Sequence, residues 1–281
     1  MRICRHVRQM VLHSRYDKDA DMKEFFINCS KYWNFCSYSA LCQRNSEVAR
    51  THLGWLWWLL EPALSMAVYT FVFQVIFGRK MTYLMAYIST GIMMWGFFQR
   101  NVQGSVSLVS QYSGLLKRVY MPKYILVISN MMLNGFKMLI AGLIVIFFMF
   151  YYQVPLHFTV LQIIPVFLVF IVFTFGVSVW LLHLGVYLPD LKKVCPVVLR
   201  VLFYFSGVFY DISDRLDPAL SGILLNLNPV ARLMHDARNV LLYGTGCSWT
   251  ALLLWLAVGI VLSVTGVVVV VRYERNYMKV I

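Results

Sequence analysis

From residue 249 to residue 271 the chain carries no charged side chain. A run of that length and composition is stable as a helix in the hydrocarbon core of a bilayer, where every backbone polar group must be satisfied internally. Four further runs reach spanning length or close to it, at 62–77, 83–98, 125–152 and 160–188, and a fifth, at 194–210, is marginal. The first follows Glu61 and begins on Pro62, a position where the missing N–H costs nothing. The expectation is therefore an all-α membrane protein with six transmembrane helices.

Composition agrees. Only 13% of the 281 residues are charged while 60% are hydrophobic, and the mean hydropathy is +0.69. A soluble domain keeps roughly a quarter of its residues charged. The net charge of +13 would suggest nucleic acid in a soluble protein, but here the basic residues sit in loops between apolar spans. Seventeen Lys and Arg fall in the N-terminal region, the second and fourth loops and the tail, against five on the other side. That asymmetry predicts both termini in the cytoplasm, with membrane and no nucleic acid as the surroundings. The six cysteines show no CxxC spacing, and only Cys247 falls on the outer side, which argues against a structural disulfide. The first 60 residues are mixed and charged, so no cleavable signal peptide is expected. The chain divides into a cytoplasmic N-terminal segment, 1–60, and a six-helix domain, 61–281.

Two polar regions are more than loops. Within 38–60, Leu41, Val48, His52, Trp55 and Leu59 recur at helical spacing, while Arg44, Glu47 and Arg50 take another face. This suits a helix in the membrane interface, with Trp55, Trp57 and Trp58 at headgroup level, or a helix packed on a partner protein; the two are compatible. The outer segment 211–248 opens with Asp211, Asp214 and Asp217, turns apolar and breaks at Asn228–Pro229. Ten apolar residues cannot cross a bilayer, which leaves a re-entrant hairpin or a pair of helices lying on the surface.

Catalytic signatures are missing: there is no GxxxxGK[ST], no HExxH and no GxSxG. Neither a catalytic residue nor a metal ligand set is expected. No Asp or Glu lies well inside a span; Lys137 is the clearly internal charge, and Arg100 closes the second span. Lys137 either lines a polar path that attracts an anion or snorkels to the interface. So few buried acids argue against proton or sodium coupling, so energy has to come from elsewhere. In the loop 101–124, Val109, Tyr112, Leu116 and Val119 form an apolar ridge, with Lys117 and Arg118 beside it and Pro122 beyond. Such a helix suits docking into a groove on another protein.

Three stretches carry a resemblance: residues 52–62 (HLGWLWWLLEP), 115–126 (LLKRVYMPKYIL) and 225–229 (LNLNP) followed by Arg238–Asn239. In order and spacing they are similar to the type-2 ABC permeases that export teichoic acid, O-antigen or capsule. Two positions depart from that pattern: Pro189 precedes Asp190, and Ser206–Gly207 stands where Ser-Pro is common. The resemblance implies a homodimer that binds two copies of a separate ATPase, with ATP and Mg held there and no cofactor bound by this chain. It makes 101–121 a coupling helix, with Val109, Tyr112, Leu116, Lys117 and Arg118 against the ATPase. Residues 38–55, with Leu41, Arg44, Val48 and Arg50, become the interface helix.

The cargo it implies is a glycan on undecaprenyl diphosphate, flipped across the bacterial plasma membrane. A sliding sugar chain would pass aromatic rings, for which Tyr69, Phe73, Trp95, Phe98, Tyr204 and Phe209 are the candidates, beside Lys137. Arg44, Arg50 and Arg100 would hold the diphosphate. Within the group the expectation leans to wall teichoic acid, with O-antigen or capsule close behind. A membrane-embedded glycosyl or acyl transferase, built on the Asp211, Asp214 and Asp217 cluster, is the rival from another class. An ion-driven secondary transporter is the second.

Overall fold

The computed structural model describes residues 22–49, 54–76, 83–118, 121–155, 157–211 and 217–280, and these contain helices and no strand. The helices are α1 (Met22–Lys31), α2 (Trp33–Ala49), α3 (Trp57–Phe71), α4 (Leu84–Ser105), α5 (Leu108–Gln111), α6 (Ser113–Leu116), α7 (Tyr124–Tyr151), α8 (Ile163–Tyr187), α9 (Leu191–Phe205), α10 (Pro218–Leu227), α11 (Pro229–Arg238) and α12 (Trp249–Val280). Three stretches are long and apolar enough to cross a bilayer: Tyr124–Tyr151, Phe158–Tyr187 and Trp249–Glu274. Their large apolar side chains, such as Leu139, Phe147, Leu168 and Val261, point away from the rest of the chain. Lipid is the surrounding that makes such faces stable.

Several boundaries differ from those expected. The first apolar helix begins at Trp57, with Pro62 inside it, and runs on through a π turn, Val72–Ile76. Gly54, at φ 54°, takes the left-handed conformation that opens this element. The second helix continues past residue 98 to Ser105. The fifth is 15 residues long, from Leu191 to Phe205, with Pro196 inside; at 1.5 Å per residue that is about 22 Å.

The core is organised on α4, which touches α3, α7, α8, α9 and α11. Because it is surrounded by protein, α4 tolerates polar residues that fold back on their own helix: Thr90 Oγ1 donates to the Ala86 carbonyl at 2.8 Å, and Ser105 Oγ to the Asn101 carbonyl at 2.7 Å. Asn101 Oδ1 accepts from Asn130 Nδ2 at 3.3 Å and Asn134 Nδ2 at 2.9 Å, tying α4 to α7. Helix α12 packs chiefly along α8. A Cβ on Gly176, Gly259 or Gly266 would meet the facing helix at 2.8 to 3.2 Å, so small residues set the close approach of these two helices. Lys117, Arg118, Lys192, Lys193 and Arg272 are exposed where α4 stops and α7 starts, and this is termed the basic end.

Candidate functional site

Between the start of α3, the last third of α4 and the middle of α7 lies a recess of about 330 Å³, lined by Gly54, Trp57, Trp58, Glu61, Pro62, Arg100 and Lys137. Lys137 Nζ stands 5.4 Å over the Trp58 ring, and Trp58 meets Phe136 edge-on at 6.0 Å. The Arg100 guanidinium folds back along its own helix onto Gly96, where a Cβ would lie 3.1 Å from Nη1. Two cations, two indoles and one carboxylate thus line the same recess. Lys137, expected along the path, and Arg100, expected at a diphosphate, belong to the same recess. Arg50 lies outside the described residues, as do the side chains of Arg44 and Val48; Leu41 is exposed on α2. The recess suits an anion with an attached sugar: cations for the charge, indole faces for the ring C–H groups. Sequence reasoning put Trp57 and Trp58 at headgroup level and did not join them to Lys137, and it used Glu61 only as a helix start.

The expected path rings form a connected aromatic tract. Tyr69 lies 4.0 Å from Phe209 between centroids, Phe73 stacks on Phe209 at 5.5 Å, and Trp95 is 5.7 Å from Phe98. The two groups are joined by Phe203, at 4.9 Å from Phe209 and 5.4 Å from Trp95. Phe203 was missed, although the run Phe203–Tyr204–Phe205 at the end of a short apolar helix marks it. Trp95, Phe98 and Phe209 are buried in this chain, whereas Tyr204 faces outward, 60% exposed.

Around 101–121 the expected single helix is replaced by the last turn of α4 and the one-turn helices α5 and α6. The apolar ridge turns inward: Val109 and Leu116 are buried in the core. Tyr112 accepts a hydrogen bond from Gln43 Nε2 of α2. The outward face is Ser110, Gln111, Leu115, Lys117 and Arg118, and Lys192 Nζ donates to Ser110 Oγ at 3.1 Å. Val119 lies outside the described residues. The ridge folds in because a surface that apolar is more stable against α8 than in water. Helix α2 is held to α7 by Cys36, whose carbonyl accepts from Ser129 Oγ at 3.4 Å.

Lys123, at the junction of this segment with α7, pairs with Glu274 of α12 at 3.8 Å, both side chains being nearly inaccessible (5% and 2%). Burial pushes the Lys123 ammonium below the usual lysine range, and the Glu274 carboxylate pulls it back up.

At the opposite end, α10 and α11 meet at Asn228–Pro229. Asn228 Oδ1 caps α11, accepting from Val230 N at 3.1 Å and Ala231 N at 3.2 Å, while its Nδ2 donates to Ser206 Oγ at 2.9 Å. Replacing it, Asn228→Ala, is expected to cost about 1–2 kcal/mol, read as an earlier heat-induced loss of the monodisperse protein in detergent. Arg238, 3% exposed, donates to the carbonyls of Tyr87 (3.2 Å), Gly207 (2.8 Å) and Val208 (2.7 Å), and its guanidinium stacks 3.6 Å over the Tyr87 ring. Asp236 accepts from Ser248 and pairs with Arg232 at 3.5 Å. Of the acid cluster, Asp217 is exposed at the start of α10, Asp211 is half-buried, and Asp214 lies outside the described residues.

Known proteins are similar over most of this length. The O-antigen export system permease protein RfbA of Klebsiella pneumoniae is 23% identical over 82% of this chain and 88% of its own. The protein of the same name from Myxococcus xanthus is 29% identical over 65% of the chain and 70% of its own. The polysialic acid transport protein KpsM of Escherichia coli is 19% identical over 71% of the chain and 78% of its own. The model of the family described as ABC-2 type transporter matches residues 38–242, which takes in the recess, the aromatic tract and helices α10 and α11, and the chain belongs to that family of integral membrane proteins.

Proposed function

We propose that the chain is the membrane permease of an exporter for a lipid-linked polysaccharide, driven by a separate ATPase subunit. The observation that carries this reading is the similarity, over four-fifths of the chain, to permeases named for O-antigen export. The names of the relatives, two for O-antigen export and one for polysialic acid transport, favour such a glycan over wall teichoic acid as cargo. Two copies of the chain would pair and bind two ATPase subunits, which supply ATP and Mg. Helices α3, α4 and α9 would complete six passes with α7, α8 and α12, and α10–α11 would dip in and return. Both termini would lie in the cytoplasm, by the charge asymmetry of the loops. The exposed basic face of Lys117 and Arg118 would meet the ATPase.

The recess gives this reading its chemistry. An anionic headgroup would sit between Arg100 and Lys137, and its first sugar would stack on Trp57 or Trp58. No single ring binds a polymer tightly, so Tyr204 with the half-buried Tyr69 and Phe203 would let it slide once moving, over a layer in which Trp95, Phe98 and Phe209 are buried supports.

The test is reconstitution. The tagged chain is expected to co-purify with a Walker-motif ATPase and, in proteoliposomes, to move a diphosphate-linked lipid oligosaccharide only when ATP is present. Charge-assisted contacts are worth about 1.5–3 kcal/mol each, so Arg100→Gln with Lys137→Gln is expected to lower export by at least about a hundredfold. Export without ATP, or with no ATPase bound, rejects the proposal.

A further inference from the structure

We infer that the buried Lys123–Glu274 ion pair is the contact by which movement of the 108–121 segment reaches the C-terminal helix, with Glu274 the positioning residue. Lys123 stands at the joint between that segment and α7: Leu126 N donates to the Lys123 carbonyl at 3.1 Å, and Met121 and Pro122 just before it are buried. Lys123 is the N-cap residue of α7, where any displacement passed along the chain from that segment enters the helix.

Its partner is 151 positions away in the chain, on α12. Tyr124, the residue after Lys123, and Tyr277, one turn on from Glu274 in α12, are both buried. Tyr277, wholly buried, places its hydroxyl 2.6 Å from His183 Nδ1 of α8. Phe25 of α1 closes the group, 5.2 Å from Tyr124 and 6.3 Å from Phe175 of α8. Around the pair, α1, the start of α7 and the α8–α12 pair are thus brought together.

Helices α8 and α12 are close-packed through Gly176, Gly259, Gly266 and Ser263, so they move as one body. A pull on Glu274 is a pull on both. The chemistry of the pair also favours a transmitting role over a merely stabilising one. Two buried charges are seldom more stable than well-packed apolar side chains of the same volume, yet they hold each other in one arrangement that an apolar pair does not specify. Packed interfaces with two discrete arrangements are what carry a displacement between sites.

Resting as it does on the exporter reading, this role is tested in the permease–ATPase complex in proteoliposomes, measuring ATP hydrolysed and diphosphate-linked oligosaccharide moved. Glu274→Gln is expected to leave hydrolysis within about twofold while glycan moved per ATP falls about tenfold. The exchange Lys123→Glu with Glu274→Lys is expected to bring that ratio back to within about twofold of wild type. The apolar replacement Lys123→Met with Glu274→Leu is expected to melt at or above wild type and to stay uncoupled. If the apolar pair couples as well as wild type, or if Glu274→Gln leaves glycan per ATP unchanged, the pair only stabilises the fold and the inference is overturned. A wild-type complex that neither hydrolyses ATP nor moves glycan overturns the exporter reading instead.

Discussion

Arg238→Ala is expected to destabilise the protein by about 3–5 kcal/mol, the largest effect of any single substitution outside the recess. The guanidinium spends its donors on three main-chain carbonyls from two parts of the chain, Tyr87 on α4 and Gly207 and Val208 after α9. Removing it strands three buried acceptors, each costing about 1–3 kcal/mol where relaxation does not reach them, and uncovers the Tyr87 ring. Arg238→Lys is expected to recover only part, because one ammonium cannot span carbonyls that a planar fork reaches together. Gly91→Ala probes the same clamp from the other side, since its Cβ would fall 2.3 Å from Arg238 Nη2 and 2.9 Å from the Val208 carbonyl oxygen. The check is the midpoint of heat-induced loss of monodisperse protein in detergent, with Asn228→Ala as the milder comparison. A wild-type midpoint for Arg238→Ala would show that the carbonyls find other donors.

Gly185→Val carries the second large effect. A Cβ at this position in α8 would sit 2.2 Å from the Val106 carbonyl oxygen and 2.9 Å from its Cα and carbonyl carbon. These are main-chain atoms, so no rotamer change relieves the collision; α8 has to move away from the junction of α4 and α5. Overpacking costs about 1–3 kcal/mol when side chains can yield, and here they cannot, so about 3 kcal/mol or more is expected. The same shift displaces the start of α5, so under the proposed function ATP hydrolysis by the partner ATPase should fall with stability. Gly114, in the same segment, has nothing within 4 Å of its Cβ position. Gly114→Ala is expected to be neutral or to stabilise α6 by about 0.5–1 kcal/mol. Equal melting of the two variants would reject the account of Gly185.

Much of the outline was readable before any coordinates. The α7, α8 and α12 spans announce themselves because a helix that faces lipid must carry its hydrophobicity in its own consecutive residues. The break at Asn228–Pro229 was legible for a similar local reason, an Asn that caps followed by a Pro that starts a helix. The candidate rings Tyr69, Phe73, Trp95, Phe98 and Phe209 were picked one by one, and the fold sets them in mutual contact through Phe203. The spacing of Val109, Tyr112 and Leu116 correctly marked an apolar ridge and misjudged its direction. Periodicity says that a face is apolar and leaves open whether this chain or another one covers it.

By itself, then, the sequence determined what depends on neighbours along the chain: that the protein is helical, that the longest apolar runs, at 125–152, 160–188 and 249–271, suit lipid, and that the chain breaks at Asn228–Pro229. Only the tertiary structure decided which distant residues meet. Arg100 joins Lys137 in one recess, Arg238 reaches Tyr87 and Gly207, and Lys123 finds Glu274. The reason is physical: hydropathy and capping are summed over adjacent residues, whereas a buried charge is stable only beside a partner that the packing of several helices delivers.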